Sequence, residues 1–214
     1  MTATEVLLYD AQGNAYKVRG TRKGDLFTTK RIPDFASLVN TGDVWGCLDT
    51  TTTVALVARP TVTASLTAQN PASSPTYKVL LGILAYTDVV PATLGMVSIW
   101  QCTHKLAAAA LSAELVLGGT GAGTAFSYRG GRSYAGDMII ARGETVIDDG
   151  WVPVGDPSVS NIATTNFLAK EIPLRIPVVL PPGMSHSLQT TATVVTFETA
   201  LGYIWAEVSL SDLE

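Results

Sequence analysis

The sequence predicts an all-β protein, namely a single antiparallel β-sandwich of the jelly-roll type with an N-terminal hairpin and arm. Ten short segments rich in Val, Ile, Leu and Thr follow one another along the 214 residues, as expected for strands. Turn signals such as Asn-Pro, Asp-Asp-Gly and Pro-Pro-Gly separate these segments. A double-sheet jelly roll has about eight core strands, so we expect one sandwich domain over residues 43–214.

The first 42 residues are predicted to form a hairpin and a docking arm. In "EVLLYDAQGNAYKVRG" an apolar run leads into Gln-Gly-Asn, a turn signal, and then into an alternating segment. Residues 21–42 follow no regular pattern and contain Pro33 and an Asn-Thr-Gly-Asp turn. We therefore assign residues 1–42 to an element that precedes the sandwich.

The segments after residue 43 are predicted strands bounded by turns. They cover residues 44–49, 53–58, 61–68, 76–86, 95–104, 137–142, 151–155, 169–180, 186–198 and 201–210. Pro181 and Pro182 offer no N–H to a strand ladder, and Gly183 tolerates a positive φ. This tripeptide therefore predicts a tight corner between two late strands.

Two stretches between the strands have a different composition. "HKLAAAALSAELVLGG" (104–119) contains four consecutive alanines and ends in Gly-Gly, which predicts either a short helix or an extended loop. The segment 118–136 is rich in glycine and predicts a long surface loop.

The last predicted strand has the alternation of a half-buried strand. Ile204, Ala206, Val208 and Leu210 would share one face, and Tyr203, Trp205, Glu207 and Ser209 would share the other. By contrast, "KVLLGILAY" (78–86) is apolar on both faces. Such a segment is expected in the middle of a sandwich or under a partner subunit.

The composition limits the partners. Only 15% of the residues are charged and the mean hydropathy is +0.28, whereas about a quarter of an ordinary domain is charged. We therefore expect a homo-oligomer, specifically a trimer, that hides apolar surface. No apolar run approaches the length of a transmembrane helix, and the net charge of −4 argues against a nucleic-acid partner. We expect neither a membrane nor a specific nucleic acid.

No motif supplies the groups that catalysis needs. "GGTGAG" lacks the Lys-Ser/Thr of a phosphate loop, and "GRSYAG" lacks the helix and the partner residues of a nucleophile elbow. Two isolated histidines, His104 and His186, cannot assemble the metal site of a cupin. We therefore expect a non-enzymatic protein without a metal or another cofactor.

Several polar and aromatic residues are assigned ordinary structural roles. His186 is predicted to be a solvated strand residue. Asp148, Asp149 and Gly150 have the pattern of a turn, with calcium binding as the alternative. The four tryptophans are predicted to pack in a core or an interface, with a sugar-stacking platform as the alternative. Cys47 and Cys102 are predicted to be buried free thiols that Ala or Ser can replace.

The order of five features supports a resemblance. These are the N-terminal hairpin, "GMVSIWQCTH", the small-residue loop followed by "ETVIDDGWVPVG", the "LRIPVVLPPGMSHSL" corner and the closing "GYIWAEVSL". Over residues 44–210 this order is similar to that of small jelly-roll proteins that decorate or cement the capsids of tailed bacteriophages. The resemblance implies a virion location after assembly in the host cytoplasm. It also implies a trimer on the major capsid protein and offers no catalytic residues.

Two functions from different classes follow. The first is a capsid decoration or cement protein that stabilises the phage head by binding across neighbouring capsid subunits. The alternative is a receptor-binding or carbohydrate-binding β-sandwich module of a phage, whose loop 118–136 would make contact through Tyr128 and Tyr134. A jelly-roll enzyme is a third, weaker hypothesis.

The N-terminal arm is the predicted docking element. Residues 1–31 carry a net charge of +3, from six basic and three acidic side chains, whereas the remaining chain has a net charge of −7. Apolar side chains are interleaved with these charges. The predicted partner-binding residues are Arg22, Lys23, Leu26, Phe27, Lys30, Arg31 and Phe35. Their aromatic groups would hold a partner and their charges would steer it, although a solvated face is an open alternative.

Overall fold

A computed structural model of the chain describes residues 7–9, 15–17, 39, 42–89, 95–105, 111, 113–120, 123–160, 169–193 and 198–209. These residues form thirteen β-strands. The strands are β1 (Leu7–Tyr9), β2 (Ala15–Lys17), β3 (Val44–Leu48), β4 (Thr53–Val54), β5 (Leu66–Gln69), β6 (Thr76–Val89), β7 (Gly95–His104), β8 (Ala125–Ser127), β9 (Ile139–Arg142), β10 (Val152–Ser160), β11 (Ala169–Leu180), β12 (Ser185–Ala192) and β13 (Glu198–Ser209). No helix among the described residues is long and apolar enough to cross a membrane.

The strand pairing is that of an antiparallel jelly roll, as predicted. One sheet has the order β11-β6-β13-β3-β8, with β4 also on β13, and the other has the order β10-β7-β12-β5-β9. If β4, β8 and β9 are set aside, the two large sheets contain eight strands, and the pairs that these strands form are nested. The first pairs with the last (β3 with β13), the second with the seventh (β5 with β12), the third with the sixth (β6 with β11) and the fourth with the fifth (β7 with β10). The chain therefore folds as one long hairpin wrapped into two sheets.

The N-terminal hairpin is confirmed. β1 and β2 pair antiparallel, with Leu7 opposite Lys17 and Tyr9 opposite Ala15. The connection at residues 10–14 includes the predicted Gln-Gly-Asn turn and lies outside the described residues.

Prolines occupy the strands at the sheet edges. β10 contains Pro153 and Pro157, and β11 contains Pro173 and Pro177. Each strand has one neighbour in the described sheets, β7 for β10 and β6 for β11. Proline lacks an N–H and is tolerated where one side of a strand has no ladder. The sequence thus marks both strands as edges.

The corner at Pro181-Pro182-Gly183 is confirmed. It leads from β11 in one sheet to β12 in the other. Gly183 has a φ of 84°, which favours glycine, and the Met184 N–H donates to the Pro181 carbonyl at 3.1 Å.

The two large sheets enclose one core. Trp45, Leu80 and Trp205 of the six-stranded sheet meet Leu66 and Leu188 of the five-stranded sheet. The outer face of the six-stranded sheet, which is turned away from this core, carries a second apolar cluster. Its buried members are Val44, Val79, Ile204, Ala206 and Val208.

The half-buried pattern predicted for the last strand is wrong. Tyr203 and Trp205 are fully buried in the core, and Ile204 on the opposite face is only 2% exposed. β13 lies between β6 and β3, so its ladder is satisfied on both sides while both of its faces are covered. Alternation indicated which residues share a face, but it did not indicate that both faces are covered. Leu210 lies outside the described residues.

The stretches between β7 and β10 differ in part from expectation. Residues 106–110 and 112, which include the four alanines, lie outside the described residues, so the choice between helix and loop stays a prediction there. Residue 111 and residues 113–120 are described and form no helix, and the Leu115 N–H donates to the Ile140 carbonyl at 2.7 Å. The Gly-rich segment is not all loop, because β8 lies within it and pairs with β3. β8 can dock there because Gly46 has no side chain and the Phe126 ring lies over it.

Candidate interaction surface

The seven predicted docking residues, from Arg22 to Phe35, lie outside the described residues, so their contacts stay a prediction. The chain that follows them is anchored at two described points. Val39 packs against the outer cluster of the six-stranded sheet. The Gly42 carbonyl accepts a hydrogen bond of 3.1 Å from Nη1 of Arg132. The arm therefore joins the sandwich at the outer face, beside β8.

Strand β11 presents an apolar bulge at the edge of the six-stranded sheet. Pro173 pairs with Gly82 and Val178 with Leu80, so residues 174–177 stand opposite a single residue of β6. Ile176 within this bulge is 84% exposed, more than any other large hydrophobic side chain among the described residues. A bulge protects a sheet edge against strand addition, but an isoleucine that is 84% exposed contributes little apolar burial to the fold.

A groove lies at the opposite edge of this sheet, beside β8. Its volume is about 400 Å³ and its lining includes Leu117, the glycines of the loop, Phe126 and Arg132. Phe126 is 44% exposed and Tyr128 is 36% exposed, with their ring centroids 5.4 Å apart. The groove is thus lined by the exposed Phe126 ring and by glycines, and Tyr128 lies beside that ring.

Tyr134 borders the groove but is only 7% exposed, whereas the loop prediction gave it a contact role like that of Tyr128. Its ring is packed edge-on between Trp45 and Trp205, at centroid distances of 5.0 Å and 5.5 Å. Its hydroxyl donates to Oε1 of Glu207 at 2.6 Å. Burial, followed by the charge of Glu207, raises the pKa of Tyr134 well above its usual value. Of the two predicted tyrosines, Tyr128 alone is accessible.

His186 is buried, so its prediction as a solvated residue is wrong. Its Nε2–H donates to Oε1 of Gln101 at 3.1 Å, and its Nδ1 lies 3.3 Å from the Tyr203 hydroxyl. Burial, with a smaller contribution from the charge of His104, lowers the pKa of His186 to about 3. The error arose because Pro-Pro-Gly marks a surface turn, whereas the next residues enter a strand buried on both faces.

His104 and Ser187 form a close pair that sequence reasoning missed. His104 Nε2 lies 2.7 Å from Ser187 Oγ, and Thr67 Oγ1 lies 2.8 Å from the same oxygen. His104 Nδ1 has no hydrogen-bond partner, and the two side chains of the pair are at most 1% exposed. A serine nucleophile needs an oriented base and access to substrate. This pair has neither.

The turn and tryptophan predictions agree with the structure. Gly150 has a φ of 102°, and the Gly150 N–H donates to Asp148 Oδ1 at 3.4 Å. Trp45, Trp151 and Trp205 are buried, and Trp100 is partly buried. No three His, Cys, Asp or Glu side chains within the described part of the chain are grouped to hold a metal.

Both cysteines are free and buried, as predicted. Burial, then the charge of Asp49, raises the pKa of Cys47 to about 12. Because a thiolate is the reactive form, Cys47 is an inert packing residue.

A charged cluster closes one end of the sandwich. Lys78 on β6 has no exposed side-chain surface, and its Nζ lies 2.5 Å from Oδ1 of Asp137 and 3.0 Å from Oε1 of Glu207. Nζ also donates to Thr76 Oγ1 at 2.7 Å. Tyr134 completes the cluster through its bond to Glu207. Sequence analysis missed this cluster because Lys78 and Asp137 are 59 residues apart.

Comparisons with protein-family models, with curated proteins and with solved structures find no match for this chain.

Proposed function

We propose that this chain is a non-enzymatic virion structural protein, a decoration or cement protein that binds across neighbouring subunits of a phage capsid. The observation that carries the proposal is an exposed apolar edge on a jelly roll of low charge. Ile176 and Val179 of β11 are exposed, although only 15% of the chain is charged. Such a surface is suited to permanent contact with other subunits.

The burial of the reactive side chains supports a structural role. His104, His186, Ser187 and both cysteines are buried, and each has a packing or hydrogen-bonding role. A structural protein that functions by binding its neighbours needs a stable folded domain with an exposed binding surface. These buried residues contribute to the stability of the domain.

The docking arm is the second part of the proposal. Its basic and apolar residues would lie in a groove of the capsid protein, with buried aromatic groups holding the complex and charges setting its register. The anchoring of Val39 and Gly42 supports this arrangement, because the arm can then leave the sandwich at a defined point.

Deletion of residues 1–35 tests the arm, because it retains Val39 and Gly42. We expect the truncated chain to give the circular dichroism of a folded β protein but to lose attachment to capsids in a co-sedimentation assay. Reversal of charge at Arg22 and Lys23 should weaken attachment and make it more sensitive to salt. The matched control reverses Lys17 and Arg19, which lie in the hairpin segment, and should attach normally.

Full occupancy of particles by the truncated chain would rule out the arm as the docking element. The docking face would then have to lie on the sandwich itself.

The groove beside β8 supports the alternative function, a receptor-binding or carbohydrate-binding module. Phe126 lines the groove and Tyr128 lies next to it, and both are exposed aromatic rings of the kind on which sugar rings stack. Binding to a glycan array that is lost in Phe126→Ala, together with absence of capsid attachment, would favour this alternative.

A further inference from the structure

The cluster around Lys78 brings an amine, a carboxyl group and a second carboxylate together at a shielded place. Nζ of Lys78 lies 2.5 Å from Oδ1 of Asp137. The side-chain carboxyl carbon of Asp137, Cγ, is therefore at most one carbon–oxygen bond length further from Nζ. The Lys78 side chain is fully removed from solvent. Held reactants of this kind can react with effective concentrations far above any in solution.

We propose that Lys78 and Asp137 form an intramolecular amide bond, with Glu207 as the general base and acid of the reaction. The bond joins Nζ to Cγ and releases one molecule of water. Nothing is oxidised or reduced, and no co-reactant is needed. The inference concerns chain chemistry and does not rest on the virion role.

The steps balance within the cluster. A proton first passes from the Lys78 ammonium to the Asp137 carboxylate, which leaves a neutral amine beside a neutral acid. Nζ then attacks Cγ while Glu207 Oε1, 3.0 Å from Nζ, accepts a second proton. Glu207 returns this proton to the departing hydroxyl, the Cγ–O bond breaks, and water leaves. The new amide N–H keeps Glu207 as its acceptor.

The surroundings suit each participant. An amine with no hydration shell attacks without first shedding water. Asp137 is 39% exposed, which gives the released water a path to solvent. Desolvation raises the pKa of Asp137, but the hydrogen bonds from Lys78 and Ser74 and the charge of Lys78 outweigh it and lower this pKa. The initial proton transfer is therefore uphill, and we expect slow formation of the bond.

Tyr134 and Gly136 position the participants. The Tyr134 hydroxyl donates to the same oxygen of Glu207 that faces Nζ, and it accepts from the Met138 N–H at 2.8 Å. A Cβ at residue 136 would lie 2.5 Å from Glu207 Oε1 and 2.6 Å from the Tyr134 hydroxyl. Glycine therefore allows the loop to bring Asp137 onto Lys78.

The bond would tie the loop before β9 to the first residues of β6, which lies beside β13 in the six-stranded sheet. It would close the chain over the 59 residues that separate Lys78 from Asp137. Such a link reduces the entropy of the unfolded chain and cannot be undone by denaturant or by reducing agents.

Mass spectrometry of the intact, purified full-length chain tests the proposal. We expect a mass lower than calculated by one water molecule, and a branched peptide joining Lys78 to Asp137 after digestion. Lys78→Met and Asp137→Ala should each have their full calculated mass. Most or all of the Glu207→Gln chain should have its full calculated mass. Glu114→Gln, a change at an exposed glutamate, should show the same mass deficit of one water molecule as the wild type.

The wild-type measurement does not depend on any variant folding. A wild-type chain that keeps its full mass after prolonged incubation at neutral pH would overturn the proposal. Loss of water in Lys78→Met or Asp137→Ala would place the link elsewhere and would overturn it equally. Loss of water in Glu207→Gln at the wild-type rate would remove Glu207 from its assigned role.

Discussion

His186 illustrates at the scale of one residue how burial changes a titratable group. The imidazole is enclosed between the two sheets, where Gln101 and the Tyr203 hydroxyl are its polar neighbours. Its proton affinity is reduced because the core cannot solvate an imidazolium. The pKa of His186 is about 3 in the folded state, whereas the ordinary pKa of histidine is 6.5. Folding therefore requires His186 to be neutral.

We expect acid to destabilise the protein through His186. As the pH falls below 6.5, His186 becomes protonated in the unfolded state, whereas in the folded state it stays neutral down to about pH 3. Within this window the free energy of unfolding falls by roughly 1.4 kcal/mol for each pH unit. His186→Gln removes this titration. Urea unfolding at pH 7, 5 and 4 measures the free energy of unfolding, which should fall less with decreasing pH in the variant than in the wild type. An equal decrease in both proteins would contradict the argument.

At the scale of elements, the ion pair between Asp49 and Arg142 joins the two sheets. Asp49 follows β3 of the six-stranded sheet and is 3% exposed, and Arg142 ends β9 of the five-stranded sheet. Arg142 donates from Nη2 to Oδ1 at 2.6 Å and from Nε to Oδ2. The Thr51 N–H donates to the same carboxylate. The pair thus holds the β3 end of one sheet against the edge of the other.

Removal of one partner of this pair should cost more than removal of both. Arg142→Met leaves the Asp49 carboxylate buried without its cation, and we expect a loss of roughly 2–4 kcal/mol in the free energy of unfolding. The double variant Asp49→Asn with Arg142→Met should recover part of this loss, because Asn retains the acceptor for Thr51. Chemical denaturation measures both.

The matched control is Arg59→Met. Arg59 pairs with Asp148 at the surface, where both side chains are exposed, and such pairs contribute little. An equal loss for Arg59→Met and Arg142→Met would mean that burial of Asp49 has no special effect.

At the scale of the whole molecule, the exposed apolar edge requires an explanation. The predicted trimer would cover the β11 bulge, and closed symmetry is the usual way to bury such a surface. Light scattering after size exclusion should therefore give about three times the chain mass of 22.5 kDa. Ile176→Asp should reduce this mass toward that of a monomer.

Val57→Asp provides the control for Ile176→Asp. Val57 is 63% exposed, lies in the connection between β4 and β5, and receives the same chemical change. We expect it to leave the trimer intact. A wild type that is monomeric at micromolar concentration would contradict self-association, and an unchanged mass for Ile176→Asp would move the interface away from β11.

Local signals predicted strands well where turns bound them. β7 and β11 have the bounds expected from sequence, because Gly95 marks the start of β7, Pro181 follows the end of β11, and both strands contain β-branched residues. Prediction was poorer for β4, for which residues 53–58 were expected and Thr53–Val54 are found. A strand there depends on pairing with β13, which local sequence does not encode.

The candidate site was less predictable than the fold. Charge and composition pointed to an arm and to an apolar surface, but they could not indicate that Ile176 is the most exposed part of that surface. Tyr134 lies in a glycine-rich segment whose composition predicted a surface loop, yet its ring packs between Trp45 and Trp205. Both outcomes depend on neighbours distant in sequence, which periodicity does not identify.

The sequence by itself determined the β class, the hairpin, the Pro-Pro-Gly corner and the low charge that argues for assembly. Each of these follows from the conformational limits or the solvation of individual residues, which do not depend on distant contacts. The tertiary structure alone decided the nested strand order, the double burial of β13, the neutral state of His186 and the meeting of Lys78 with Asp137. These features arise when strands far apart in the chain are packed together, because only packing determines what covers a face and which buried charges find partners.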